Sequence, residues 1–425
     1  MSRAKWTIVP VLTVMALTVS APAPLAWAES EPILLDLEVG ASIDLELHLG
    51  LPAIAYAALV DNLWTGRYAV YGAEQWAIDT VTQDSSFPYL QLAYDVDGAP
   101  HVVYEKAGGW SHAYRSGIHW YRDSLPAFSH SGLANRGDGW FGFAYRSGGS
   151  VYYREYRDNV WGEATQLAVG RLEEDMIAVG PNEVLGLLTI KSEYDHRLEY
   201  WEKAGEGPFQ GPGLVDSNGW ECGLAFDSRG RVYVCYASDN GSYVRLAWRE
   251  PGTPLNQWTY TEAPLLEGQF ANRARVAVSQ DIPYITYGVD ADGSSYQLVV
   301  ARYVDGWGWE TWTPTEDRLP YGGAGKIRFD HTGLIHIAYA AYNPEYSLPA
   351  EKGDLKYMTY RIPRGDLNCD GQVNFGDINP FVLAIANPAA YQQAYPDCHI
   401  RNADCDLDGM VSFGDIDPFI ALLMP

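Results

Sequence analysis

Basic residues are in short supply in this sequence: 29 Lys and Arg stand against 54 Asp and Glu, a formal net charge of −25. A surface of that sign repels phosphate backbones, which argues against nucleic acid as a partner, and it suits divalent cations. Catalytic signatures are missing as well. The S-x-D-x-G-x-x-W box of sialidase propellers, the G-x-S-x-G nucleophile elbow and the H-E-x-x-H zinc motif do not occur. Helical 3.6-residue periodicity is absent from the middle of the chain, which excludes a solenoid of helices there. The one long apolar run, residues 8–19, falls short of the roughly 20 residues that a bilayer crossing needs.

That run reads as part of a secretion signal. Arg3 and Lys5 precede it, and Ala26-Trp27-Ala28 supplies the small-x-small pattern for cleavage. Residues 1–28 are therefore expected to be a signal peptide, with no Cys at the cut for lipid attachment. The mature chain keeps 27 basic against 54 acidic residues, −27, and is expected to be secreted, extracellular or at the cell surface. Five cysteines in an exported chain are first read as disulfide candidates. Cys222 and Cys235 flank the turn Asp227-Ser228-Arg229-Gly230, and they face each other if Phe226 opposes Arg231. A cross-strand bridge between them is one candidate.

Self-similarity dominates residues 29–362. Residues 94–104, 226–236 and 329–339 each read apolar-Asp-x-x-Gly, then five residues, then Tyr. Asp opening and Gly closing four residues is type I turn chemistry, and the flanking apolar/polar alternation is that of strands. Looser copies give seven anchors, Tyr56, Tyr104, Tyr145, Thr189, Tyr236, Tyr287 and Tyr339, spaced 41 to 52 residues apart. In most copies a Trp (Trp76, Trp161, Trp258, Trp309) opens a fourth strand. Four short strands at this period predict a mainly β chain, a β-propeller of seven four-stranded blades, with six or eight blades as the alternatives. The last copy lacks its fourth strand. The apolar stretch 32–37 is the candidate to supply it and close the ring, which removes an exposed sheet edge.

Residues 363–425 read differently. Asp366-Leu367-Asn368-Cys369-Asp370-Gly371 is followed by Asp377, and Asp404-Cys405-Asp406-Leu407-Asp408-Gly409 by Asp415. Both fit a twelve-residue loop with oxygen ligands at positions 1, 3, 5 and 12 and Gly at the sharp bend. Gln372 and Met410 offer a backbone carbonyl at position 7, and Asn374 and Ser412 stand at position 9, where water commonly mediates. Calcium suits this flexible oxygen cage better than magnesium does. After each loop an apolar stripe follows at helical spacing: Ile378, Phe381, Val382, Ile385 and Ile416, Phe419, Ile420, Leu423. Cys369 and Cys398 are the favoured bridge here, stapling the long connection to the first loop and leaving Cys405 over.

This C-terminal region resembles the type I dockerin family, small helical modules with two EF-hand-like loops found on secreted, usually polysaccharide-degrading, proteins. The resemblance implies that Asp366, Asn368, Asp370 and Asp377 hold one calcium ion, and Asp404, Asp406, Asp408 and Asp415 a second. It also implies docking onto a cohesin-like domain through helix faces carrying Phe375, Ile378, Phe381, Phe413, Ile416 and Phe419. Positions 10 and 11 depart from the Ser-Thr of many cellulosomal members: they are Phe375-Gly376 and Phe413-Gly414. The stretch 387–398 between the motifs is extra. Both features resemble a variant common in environmental bacteria.

The propeller itself names no reaction, because a fold does not specify one. Its richest polar cluster holds His112, Tyr114, Arg115, His119, Tyr121 and Arg122, of which the first four are the candidate catalytic residues. A His or Tyr base beside an Arg that neutralises a uronate carboxylate is how a polysaccharide lyase works. Trp140, Trp307 and Trp309 are candidate sugar platforms. Three readings remain open: a tethered protein that recognises a polysaccharide or protein ligand, a glycoside hydrolase or lyase, and a structural surface protein.

Overall fold

The computed structural model describes residues 32–424, apart from 85–88, 96, 107–108, 126–128, 138–139, 158–159, 174, 193, 239, 266–268, 291–294, 306–307, 321–324, 332, 347–351, 361–363, 371, 397, 399 and 407–409. The expected signal peptide lies outside the described residues. No helix among them is long and apolar enough to cross a membrane.

Antiparallel strands fill the middle of the chain in chain order and form blades of four, two of which carry a short extra strand, Thr165–Val169 on blade 3 and Arg318–Leu319 on blade 6. Blade 2 comprises Leu90–Tyr94, Pro100–Lys106, Gly109–Ser116 and His119–Leu125. Blades 3 to 6 start with the inner strands Ser129–Gly137, Ile177–Val179, Trp220–Phe226 and Ala271–Ser279. Blades 1 and 7 share one strand. The first part of Ile33–His48 pairs with Gly353–Tyr360, Ile33 opposite Tyr357, and the second part pairs with Leu51–Val60, Ile43 opposite Tyr56. A bulge between Val39 and Ile43 separates the two duties. This single strand is the outermost of blade 7 and the innermost of blade 1, so it closes the ring at the position expected for the apolar stretch. The seven inner strands pack side by side around a central channel.

The structure explains why the anchors repeat. All seven lie on second strands and are buried. Three make the same tie: Tyr56 donates to Asp36 (2.9 Å), Tyr236 to Asp216 (2.6 Å) and Tyr339 to Asp317 (2.7 Å). Each of those carboxylates also meets a cation on the third strand, respectively Arg67, Arg245 and Lys356. Each Asp precedes or opens its blade, so the tie fastens the blade to the outer edge of the one before it. A charge-assisted bond of this kind is stronger than a neutral one, and the buried phenol needs it. The Asp-x-x-Gly turns also repeat atom for atom. Asp95, Asp227 and Asp330 accept through Oδ1 from the backbone N–H four residues on, of Ala99 (2.7 Å), Arg231 (2.8 Å) and Leu334 (3.0 Å). The closing Gly98, Gly230 and Gly333 have φ of 78°, 87° and 81°, a conformation that favours glycine.

These turns correct the first disulfide expectation. Asp227 pairs with Arg231, so the register is one residue off the expected one, and Cys235 opposes Gly223. Cys222 sits at a bulge and packs into the cluster shared with blade 4, whereas Cys235 packs into the cluster shared with blade 6. The two thiols point to opposite faces of one sheet, and both are free.

The C-terminal module has helices α1 (Ile378–Ala386), α2 (Pro388–Ala394) and α3 (Ile416–Leu423). Phe381 and Phe419 stack with centroids 4.0 Å apart and planes at 8°, and they form the centre of the module core. These two are corrected from docking face to core. Cys369 and Cys398 are bonded, with Cα atoms 5.6 Å apart, and Cys405 is a free buried thiol. The extra stretch supplies α2, whose buried Tyr391 donates to the Leu367 carbonyl (2.9 Å) and braces the first loop.

Candidate functional site

A cleft of about 550 Å³ opens between blades 1 and 2 at the end of the ring that carries the Asp-x-x-Gly turns. Its chemistry comes from His48, Tyr68, Tyr94, His101, Tyr114 and Arg115. His48 stacks on Tyr94 at 4.9 Å, and the hydroxyls of Tyr68 and Tyr94 lie 2.7 Å apart. Tyr114 stacks on Tyr121 at 5.4 Å. Arg115 pairs with Asp79 at 3.1 Å across the blade boundary. Arg122 reaches away from the cleft to the Val81 carbonyl (2.6 Å).

His112 and Tyr114 share one face of their strand, and Arg115 takes the other. His112 points to the blade 3 side and is 1% exposed, so it does not line the cleft. It lies behind His101: His101 Nδ1 and His112 Nε2 are 2.8 Å apart, and His101 Nε2 is 3.2 Å from Asp95 Oδ2. An ionised carboxylate only accepts, so His101 donates through Nε2 and accepts from His112 through Nδ1. Burial, and then the neighbouring His101, push the His112 pKa down to about 3, and burial lowers that of His101 too. His119 is exposed and lines neither the cleft nor this pair. The structure thus brings Tyr114 and Arg115 to one cleft, places His112 in its wall and leaves His119 outside.

The arrangement is better at holding a ligand than at abstracting a proton. Burial raises the Tyr68 and Tyr94 phenols above their usual range, so they donate hydrogen bonds and do not act as bases. The charge of Arg115 is already met by Asp79. Aromatic faces, phenol donors and one offset cation are what a sugar ring with hydroxyl or acidic groups requires. Of the candidate platforms, Trp140 lies under the Arg157 guanidinium at 3.3 Å and Trp309 bonds Thr261 (3.1 Å), so both are engaged in packing. Trp307 lies outside the described residues.

Sequence reasoning missed the central channel. A space of about 430 Å³ there is crossed by an ion-pair network from blades 1, 4, 6 and 7. Lys326 and Arg275 meet Asp175, the latter at 2.5 Å, and Arg328 meets Glu46 at 2.6 Å. Despite its burial, these cations hold Asp175 below the usual carboxylate range, while burial pushes Asp44 up to about 7. The signal was present: Asp44-Leu45-Glu46-Leu47 and Lys326-Ile327-Arg328-Phe329 alternate charge with apolar residues on inner strands.

The two C-terminal loops fold alike. Asp377 Oδ1 accepts from Leu367 N (2.7 Å) and Asn368 N (3.1 Å), and Oδ2 accepts from Asn374 N (2.9 Å). Asp415 does the same with Cys405 N (2.6 Å), Asp406 N (3.1 Å) and Ser412 N (2.8 Å). Around them, the Asp370 backbone N–H donates to Asp366 Oδ1 (3.2 Å) and Asn368 Oδ1 (2.9 Å), and Gln372 N donates to Asp370 Oδ1 (2.9 Å). In the second loop, carboxylate oxygens of Asp404, Asp406 and Asp415 lie within 4.8 Å of one another. Asp404 and Asp415 are 1% and 0% exposed, so their charges cannot be left to solvent. The three carboxylates form an all-oxygen set of the kind that a hard divalent cation takes. Asp408 lies outside the described residues, and Met410 sits beside the propeller. Phe375 and Phe413 are 75% and 79% exposed, with Ile378 and Ile416 beside them.

No family model and no curated protein matches the chain. Among solved structures, the polysaccharide lyase Uly1 superposes with a TM-score of 0.53 at 9% identity, covering 75% of this chain and 89% of that one. A virginiamycin B lyase from Staphylococcus aureus gives 0.49 at 12%, covering 78% and 99%. A six-bladed fucose-recognising lectin, Aleuria aurantia lectin, gives 0.43 at 13%, covering 67% and 97%. At these identities the likeness is one of fold, and the fold it shows is propeller-like.

Proposed function

We propose that this is a secreted modular protein whose propeller recognises a polysaccharide and whose C-terminal module binds two calcium ions and tethers the chain. The observation that carries the recognition half is the cleft between blades 1 and 2, where His48, Tyr68, Tyr94 and Arg115 combine ring faces, hydroxyl donors and a cation. The tethering half rests on the dockerin-like motifs and on the matched seating of Asp377 and Asp415. Asp366, Asn368, Asp370 and Asp377 would hold one ion, and Asp404, Asp406, Asp408 and Asp415 the other. The exposed Phe375, Ile378, Phe413 and Ile416 would meet a cohesin-like domain or another surface partner.

The experiment is retention of the full chain on a panel of neutral and uronate-rich polysaccharides, with Tyr94→Ala and Arg115→Ala beside the wild type. Retention without turnover, weakened about tenfold or more in either variant, is the expected result. The second reading is a lyase, favoured by the cleft's Tyr114 and Arg115, a phenol and a guanidinium on one cleft wall. Release of unsaturated sugar ends by the wild type would establish it and displace the binding-only reading. No binding to any glycan would leave a structural surface protein.

A further inference from the structure

The 3₁₀ turn Ile400–Ala403, just ahead of the second calcium loop, is buried at all four residues. It faces three ways. Asn402 ties the start of the first loop, donating from Nδ2 to the Asp366 carbonyl (2.7 Å) and accepting from Gly365 N (2.6 Å). The Arg401 carbonyl accepts from the backbone N–H of Asp404, the first ligand position of the second loop (3.0 Å). The Arg401 side chain leaves the module and meets Glu310 of the propeller at 2.5 Å.

Glu310 lies on Gly308–Trp312, the fourth strand of blade 6, and it ends a row across that blade. Tyr284, Arg302 and Glu310 are register partners on successive strands. Arg302 donates to Glu310 (2.6 Å) and to the Tyr284 hydroxyl (3.2 Å). One carboxylate therefore serves two guanidiniums, those of Arg302 and Arg401, whose side chains are 1% and 3% exposed. Leaving a buried guanidinium without its carboxylate is costly, so the pairing of Arg401 with Glu310 ties the module to the blade. Met410, at position 7 of the second loop, also lies against the propeller, in the groove lined by Arg231, Trp248 and Tyr303.

We propose that blade 6 is a docking surface for the module, clamped by Arg401 on Glu310, and that this docking is coupled to calcium in the second loop. This inference rests on the calcium reading above. In the docked arrangement the carboxylates of Asp404, Asp406 and Asp415 have already converged. Docking thus pays in advance part of the ordering that the metal requires, and by reciprocity the bound metal favours docking. The clamp leaves Phe375 and Phe413 outward, so the partner-facing side would be presented in a fixed orientation to the propeller.

The test uses the full chain. Glu310→Gln removes the negative charge on the propeller side of the pair, 94 residues from Asp404 in sequence. Arg401→Met removes the donor on the module and leaves the Arg302–Glu310 pair intact, which guards against a misfolded blade. Calcium is titrated in an Asp377→Ala background, so that the second loop is read, and solution scattering is recorded with and without calcium. Both variants should bind calcium about 5 to 150-fold more weakly than their parent, and their radius of gyration should increase. Unchanged affinity together with unchanged scattering would overturn the clamp while leaving the calcium reading standing. An increased radius with unchanged affinity would overturn the coupling. A wild-type chain that takes up no calcium would remove the calcium reading, and scattering alone would then decide the docking.

Discussion

The propeller and the module both arose from repeated sequence, yet their repeats carry opposite meanings. In the module, the two copies keep the same ligand types because a metal cage fixes which atoms must converge, and Asp377 and Asp415 accept the same three backbone bonds. In the propeller, what repeats is packing. The Tyr–Asp–cation ties of blades 1, 5 and 7 fasten blades together, and the Asp-x-x-Gly turns shape hairpins. Distinct chemistry appears where the copies diverge. Positions six residues after the turn Asp are His101, Tyr233 and His336 in blades 2, 5 and 7. Their diagonal neighbours across the strand pair, at the positions equivalent to His112, are Leu246 and Tyr357. Only blade 2 of these three places two histidines together, and it is blade 2 that borders the cleft.

The largest effect that sharpens this contrast is acid sensitivity from blade 2. The His112 pKa is about 3 in the folded protein, below its ordinary 6.5. Between those values the unfolded chain binds a proton that the folded chain does not, so stability falls as pH drops through that window. The slope is at most about 1.4 kcal/mol per pH unit for this one group. Urea unfolding of wild type and His112→Gln from pH 7 to pH 4 should show a flatter profile in the variant, whatever the constant offset between them. Parallel profiles would mean that His112 is not the buried neutral imidazole described here.

A smaller effect is expected from a repeated position. Tyr236→Phe removes the donor to Asp216 and should lower stability by about 1–3 kcal/mol. Retention on polysaccharide should not change, since Tyr236 lies in blade 5, away from the cleft. A loss of glycan binding at full stability would break the division between repeated packing and divergent chemistry.

The fold was legible to the extent that local chemistry enforces it. The seven second strands, the Asp-x-x-Gly turns, the Trp that opens the fourth strand and the ring-closing N-terminal stretch each follow from turn and strand rules acting over a few residues. The hairpin register at Cys222 and Cys235 was not legible, because the turn spans Asp227 to Arg231 and one residue of slip reverses which face a side chain meets. Phe381 and Phe419 shared one helical stripe with their exposed neighbours, and periodicity alone could not say which members face the other helix. Half of the cleft was visible in Tyr114 and Arg115. The other half, His48, Tyr68 and Tyr94, comes from blade 1 and the turn end of blade 2, and only the packing of one blade on the next brings them together. The clamp between Arg401 and Glu310 joins residues 91 positions apart, and no local pattern announces it.

The most direct test of the account is calorimetric titration of the intact, metal-stripped chain with calcium, beside an Asp377→Ala/Asp415→Ala double variant. Two calcium ions per wild-type chain and none in the double variant is the predicted result. A wild type that binds fewer than two, or a double variant that binds as well as the wild type, would contradict it.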